Sequence, residues 1–155
     1  MKEYRATKEN RYHISCGGII YRKTNQEIEI LLLHRFKSDL WQYDSWHLPK
    51  GTKIVGETDE QTVERECLEE TGYQVKVIRK IGSLKSTYKL DENSDAKKIT
   101  HYYLCQPVTQ ISKNVKEYDE IKWVEINQAS KLLSEFKLWE KEEEILIKIL
   151  KETLI

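Results

Sequence analysis

This chain lacks net charge. Its 26 lysines and arginines balance 26 aspartates and glutamates over 155 residues. Attraction to nucleic acid or to a membrane surface by bulk charge is therefore disfavoured, although a local patch is not. Cysteine is scarce: Cys16, Cys67 and Cys105 are an odd set with no CxxC and no metal-type spacing. That argues against a disulfide scaffold and points to reduced thiols and a cytoplasmic setting. No apolar run approaches the roughly 18 residues of a membrane span. The polar opening MKEYRATKENRYH lacks a signal-peptide pattern. Only two prolines occur, Pro49 and Pro107, and there is no linker, repeat or low-complexity tract. One domain over residues 1–155 is the expectation, long enough to bury a core without staples.

The elements follow from pattern. YHISCGGIIYR (12–22) is expected as a strand, with Gly17 and Gly18 marking a close backbone approach or a bulge. IEILLLHRF (28–36) is continuously apolar, hence a buried strand. The aromatic stretch KSDLWQYDSWHLPKG (37–51) is expected as a loop. A helix from Asp59 to Thr71 is bounded by a capping-box pair, Thr58 and Gln61, and by a stop at Gly72. QVKVIRKIGSLKSTYKL holds one or two strands, DENSDAKK a polar hairpin tip, and ITHYYLCQPV and EIKWVEI one strand each. A short helix starts near Asn127, and the chain ends on an amphipathic helix carrying Ile145, Ile147, Ile149 and Leu150. Strands interrupted by one helix and closed by others indicate a mixed α/β (α+β) fold with its sheet covered on both faces.

The helix from Asp59 poses a question. Glu66, Glu69 and Glu70 occupy one arc, since i, i+3 and i+4 are surface neighbours. Like charges at those spacings weaken a bare helix, and Val63 and Cys67 sit beside the arc, so its edge adjoins the core. Such a cluster calls for a cation, and hard divalent ions take carboxylate oxygens together with substrate phosphates. The alternative is a solvated acidic face.

The spacing decides between them. Gly51, five residues, Glu57, seven residues, then Arg65-Glu66-x-x-Glu69-Glu70-x-Gly72 resembles the signature of the Nudix hydrolases, Gx5Ex7REUxEExGU, with U bulky and apolar. All seven fixed positions match. At average residue usage such a match arises by chance with odds on the order of 10⁻⁸ per start position. Cys67 and Tyr73 fill the U positions, where aliphatics are more usual. The box spans 51–73, and the strand order on either side also fits the family.

The resemblance implies an α/β/α sandwich around a mixed sheet. It also implies hydrolysis of a pyrophosphate bond in a nucleoside diphosphate linked to another moiety, by attack of water on phosphorus. Mg²⁺, with Mn²⁺ as the substitute, would be held by Glu66, Glu69 and Glu70, with the carbonyl of Lys50 as a further candidate ligand. Arg65 would orient a box glutamate through a charge-assisted pair, and Glu57 would support the metal shell. The general base in many members lies before a late strand. Here that loop offers Glu117, Asp119 and Glu120, with Glu117 the best match and Glu66 the alternative.

Within the family, three features resemble the asymmetric diadenosine tetraphosphate hydrolases. WHLPKG places Trp46 and Lys50 ahead of the box, with Lys50 meeting a phosphate. KITHYYLC puts Lys98 and Tyr102 on one strand face, an ammonium for phosphate beside an aromatic for base stacking. The spacing from Tyr102 through Glu117 to Trp123 also fits. Against this, the His and extra Glu that those enzymes usually carry between the box glycine and Glu57 are absent. Trp41 and Tyr43 either line the base pocket or pin the loop. ADP-ribose, a nucleoside triphosphate or an RNA 5′ end are the alternative substrates, and a non-catalytic nucleotide-binding module the alternative class. The expected partner is a small nucleotide, with nucleic acid and membrane disfavoured.

Overall fold

The computed structural model describes residues 2–112, 118–135 and 141–152. Among these, seven strands form one sheet in the order β3-β2-β1-β6-β5, with β4 pairing β1 and β7 pairing β2. The strands are β1 (Tyr12–Thr24), β2 (Glu27–Arg35), β3 (Ser45–His47), β4 (Lys50–Thr52), β5 (Tyr73–Asp91), β6 (Ser94–Gln110) and β7 (Glu120–Glu125). The helices are α1 (Asp59–Thr71), α2 (Ile126–Glu135) and α3 (Glu142–Lys151). β1 runs parallel to β6 and antiparallel to β2 and β4, so the sheet is mixed.

Two apolar clusters line its two faces. Cys16, Ile20, Leu31 and Cys105 meet Val63 and Cys67 of α1. Ile19, Ile30, Leu32, Tyr102 and Leu104 meet Ala129 and Leu133 of α2 and Ile145, Leu146 and Ile149 of α3. The alternation along β6, Tyr102 and Leu104 to one side and Tyr103 and Cys105 to the other, is the strand period of two seen from both sides of a covered sheet. The glycine pair of β1 is a close approach. A Cβ on Gly18 would lie 2.5 Å from Cys67 Sγ, so α1 packs directly on the strand backbone. All three cysteines are free and buried.

α1 carries the expected signals at both ends. Thr58 accepts from the Gln61 amide, the Gln61 side chain accepts from the Thr58 amide, and Gly72 takes φ 75° in the left-handed region. Two expectations are corrected. The aromatic loop holds two short strands, β3 and β4. The polar tip DENSDAKK is mostly strand: Lys89 already pairs Asp95 and Tyr88 pairs Ala96, because cross-strand hydrogen bonds hold polar residues as readily as apolar ones when the sheet edge faces water. QVKVIRKIGSLKSTYKL, expected as one or two strands, is one long strand, with register shifts that bend it. Among the described residues no helix is long and apolar enough to cross a membrane.

Candidate active site

The box residues meet where β4 crosses the side of α1. β4 is held in register by β1, with Gly51 opposite Cys16 and Lys50 opposite Gly17. This brings the Lys50 amide to α1, where it donates to Glu70 Oε1 at 2.8 Å. Glu70 is buried. The next residue has no side chain, and the space above it is taken: a Cβ on Gly51 would lie 2.0 Å from Glu66 Cδ and 2.2 Å from each Glu66 oxygen. The missing side chain leaves room there for the Glu66 carboxylate, which rests on the strand backbone.

Arg65 organises the rest. Its Nε and Nη2 donate to Glu57 Oε2 and Oε1 at 2.8 and 3.0 Å, a two-pronged pair. Nη2 also donates to the Thr52 carbonyl at 3.0 Å, and Nη1 to Glu66 Oε1 at 2.6 Å and Glu69 Oε2 at 3.5 Å. Arg65 thus contacts three box glutamates, Glu57, Glu66 and Glu69, and the strand. Glu57 also accepts from the Ile54 amide and the Thr62 hydroxyl. The Arg65 guanidinium, more than these neutral donors, draws the Glu57 carboxyl down to about 2, and Glu57 in turn raises Arg65.

That shift has a measurable consequence. Unfolded, Glu57 titrates near 4.5. A carboxyl depressed by folding contributes stability that is fully present above the unfolded value and is lost as pH falls toward the folded one. Thermal unfolding followed by circular dichroism should therefore lose midpoint between pH 4.5 and about 2. Glu57→Gln should flatten that part of the profile. An unchanged slope in the variant would place the acid sensitivity elsewhere.

The donor set suits a hard divalent cation. Glu66 and Glu70 present carboxylate oxygens to the Lys50–Gly51 backbone, and the Glu69 side chain, also in contact with Arg65, is 58% exposed. The glycine seat lets the Glu66 carboxylate rest against the strand backbone, and carboxylate oxygens are the ligands such ions take. Among the described residues no three Asp, Glu, His or Cys side chains are already drawn together as a metal-holding group. Glu66 is instead held by Arg65 and Glu70 by the Lys50 amide.

Other expected site residues lie elsewhere. Tyr102 is fully buried, in the core cluster under α3, and its hydroxyl donates to Glu142 Oε1 at 2.9 Å. It is no platform for a base, because the apolar stripe of α3 covers that side of β6. Lys98 does share the Tyr102 face, but it pairs with His13 while Tyr102 pairs with Gly17. Four residues of strand put it about 13 Å away along the sheet, in a separate surface groove of about 660 Å³ with Tyr12, Lys85 and Lys97. Trp46 stacks on His34, with ring centroids 3.8 Å apart and planes at 10°, so one ring face is occupied. Trp41 donates its indole N–H to Ser45 Oγ at 3.2 Å and lies under the Arg35 guanidinium, which also covers Tyr118. Tyr43 is half exposed. Glu117 falls outside the described residues. Asp119 accepts from the Phe36 amide at 2.6 Å, and Glu120 from His34 Nδ1 at 2.8 Å.

One residue escaped the sequence reading. Glu142 of α3 is buried and accepts from the Leu48 amide, the Tyr102 hydroxyl and the Lys50 ammonium. The signal was present: Glu142 stands three, four and seven residues before Ile145, Leu146 and Ile149, on the apolar stripe itself. The same region contains His47, whose imidazole is lowered to about 4, chiefly by burial.

Residues 11–148 match the NUDIX domain. The chain belongs to the Nudix family. It is 25% identical over 133 residues to an 8-oxo-(d)GTP phosphatase of Mycolicibacterium smegmatis, covering 79% of this chain and 38% of that protein. It is 28% identical over 117 residues to CMP-5'-(N-acetyl-N-hydroxy-3-aminopropyl)phosphonate hydrolase of Streptomyces rubellomurinus, covering 74% and 53%. The crystal structure of a Caenorhabditis elegans Ap4A hydrolase binary complex superposes with a TM-score of 0.66 at 23% identity, over 90% of this chain and 96% of that one. The fold is thus that of Nudix proteins. The chain spans between about a third and about half the length of the curated relatives it matches first.

Proposed function

We propose that the chain hydrolyses a pyrophosphate bond of a nucleotide with the help of a divalent metal, Mg²⁺ or Mn²⁺. The observation that carries this reading is the fixed placement of Glu66 and Glu70 on the Lys50–Gly51 backbone, with Arg65 clamping Glu66 and Glu57 together. Glu66, Glu69, Glu70 and the Lys50 carbonyl would hold the metal. When bound, such an ion screens polyphosphate charge and lowers the pKa of its water. The chain's own residues do the rest. Arg65 fixes the Glu66 carboxylate before substrate arrives, so that little reorganisation is left for the reaction. Glu57 supports that arrangement, and the Lys50 ammonium offers a positive charge to a phosphate. Glu117 remains the proposed base, on its spacing from Trp123, with Glu66 as the alternative.

For substrate, we propose a nucleoside polyphosphate. The WHLPKG approach favours a dinucleoside tetraphosphate, cleaved to ATP and AMP. The burial of Tyr102 and the displacement of Lys98 remove two supports of that reading and favour a nucleoside triphosphate as the second. The names of the phosphatase and of the CMP-phosphonate hydrolase support a nucleotide in either case. The test is a panel of diadenosine tetraphosphate, nucleoside triphosphates including 8-oxo-dGTP, and ADP-ribose, incubated with Mg²⁺ and resolved by chromatography. Hydrolysis in ¹⁸O-water then shows which phosphorus is attacked. ATP and AMP in equal amounts as the fastest reaction supports the first reading, and monophosphate plus pyrophosphate the second. A preference for ADP-ribose refutes both substrates, and no turnover on any member refutes the hydrolase.

A further inference from the structure

Glu142 is a buried acid that the proposed chemistry does not use. It opens α3, on the face of the sheet opposite α1, and is 4% exposed. Its carboxylate gathers donors from two other segments: the Leu48 amide on Oε2 at 2.8 Å, and the Tyr102 hydroxyl and Lys50 ammonium together on Oε1. Lys50 is therefore shared between two acids on opposite sides of the sheet, its amide on Glu70 of α1 and its ammonium on Glu142 of α3. Packing does not explain an acid at this point. Ile145, Leu146 and Ile149 continue the same stripe as buried hydrocarbons, and a buried ion pair seldom stabilises a fold more than apolar side chains of its size would. A hydrocarbon there would leave the Leu48 amide and the Tyr102 hydroxyl without this acceptor, but a neutral amide could accept from them; what needs the negative charge is the Lys50 ammonium.

We infer that Glu142 is a specificity-determining counter-charge: it restrains the Lys50 ammonium and sets how strongly that charge is felt by a phosphate group. The inference rests on the reading above in which Lys50 meets the substrate phosphates. A phosphate reaching Lys50 has to share the ammonium with a carboxylate already hydrogen-bonded to it. Because repulsion from the carboxylate grows with the charge of the ligand, the pair weakens the grip of Lys50 most on the most highly charged group, and so narrows the advantage of polyphosphate over the shorter product that must leave. The first turn of α3, whose N-terminal dipole end favours the carboxylate, thereby acts on a site built mainly by α1 and β4.

The variant Glu142→Gln keeps the size of the side chain and an acceptor for the Leu48 amide while removing the charge. Calorimetric titration of the full chain with inorganic pyrophosphate in the presence of Mn²⁺ reads the contact without turnover. Glu142→Gln should bind pyrophosphate roughly tenfold more tightly, or better, as expected for loss of one negative charge within about 8 Å of the ligand. Lys50→Met should bind it at least tenfold more weakly. Thermal unfolding of the two variants and their combination should be non-additive, the double variant losing less midpoint than the sum of the singles, as for partners in contact. Unchanged or weaker pyrophosphate binding in a folded Glu142→Gln chain overturns the inference. Should that variant fail to fold, wild-type affinity in Lys50→Met overturns it equally, because no phosphate contact is then left for Glu142 to set. A wild-type chain that binds no pyrophosphate also overturns it. A wild-type chain that binds pyrophosphate yet hydrolyses no nucleotide refutes the hydrolase and leaves this inference standing.

Discussion

Glu70→Gln is expected to lower turnover by on the order of 10²–10³-fold, the loss seen when one preorganised electrostatic group is removed from a reacting centre, while the fold persists. The argument has two halves. Glu70 is buried and accepts the Lys50 amide at 2.8 Å, so alanine there would leave a buried N–H without its acceptor and confuse unfolding with loss of chemistry. Glutamine retains a carbonyl oxygen that accepts the same N–H. It also relieves the repulsion between Glu66 and Glu70 at i,i+4, worth a few tenths of a kcal/mol. The midpoint of thermal unfolding should therefore stay where it is or rise slightly. Steady-state rates against Mg²⁺ concentration should show the loss at every concentration, or a higher metal requirement. Near-wild-type rates at low Mg²⁺ would remove Glu70 from the metal set. By contrast Glu69, more than half exposed and 3.5 Å from Arg65, is the box acid whose conservative replacement touches least of the protein.

The contrast between local and non-local information explains what the sequence made legible. α1 was readable to the residue, because its capping box, its glycine stop and its carboxylate spacing all lie within 15 residues of chain. The ion pairing of Arg65 with a box glutamate was readable for the same reason, since Arg65 reaches Glu57, Glu66 and Glu69 within its own helix and the loop leading into it. β6 was only half readable. Alternation placed Lys98 and Tyr102 on one face, but nothing in the strand says whether water or a helix covers that face. The cover is α3, more than 30 residues later in the sequence, and it turned Tyr102 from a candidate platform into core. Glu142 is the converse case. In a sequence run of four acids, Glu140 and Glu142 to Glu144, charge suggests a solvated first turn, and only the register against Ile145, Leu146 and Ile149 separates the buried one from its neighbours.

Gly51→Ala is expected to be nearly silent in stability and severe in activity. Alanine is compatible with the backbone here, since the positive-φ glycines are Gly56 and Gly72 and β4 is regular strand opposite Cys16. The contacts nearest to a new Cβ all belong to one group, the carboxylate of Glu66, at 2.0–2.2 Å. That group is the end of a flexible side chain, so it can swing aside, where a clash with backbone could not be relieved. Swinging aside breaks the 2.6 Å bond from Arg65 Nη1, but Arg65 keeps both bonds to Glu57 and its bond to the Thr52 carbonyl. A loss near 1 kcal/mol shifts the midpoint of a chain this size by about 2–4 °C. A misplacement of about 1 Å at a reacting centre costs roughly 10²-fold, and Glu66 has to move farther than that to clear a methyl group. Rates on the preferred nucleotide, unfolding midpoints, and Mn²⁺ binding followed by electron paramagnetic resonance should thus separate: rate and metal affinity fall together while the midpoint holds. Full activity in Gly51→Ala would show that the seat of Glu66 on β4 is unnecessary. A collapse of the midpoint would show instead that the glycine serves packing, and that the nearness of Glu66 to the strand is incidental to the chemistry.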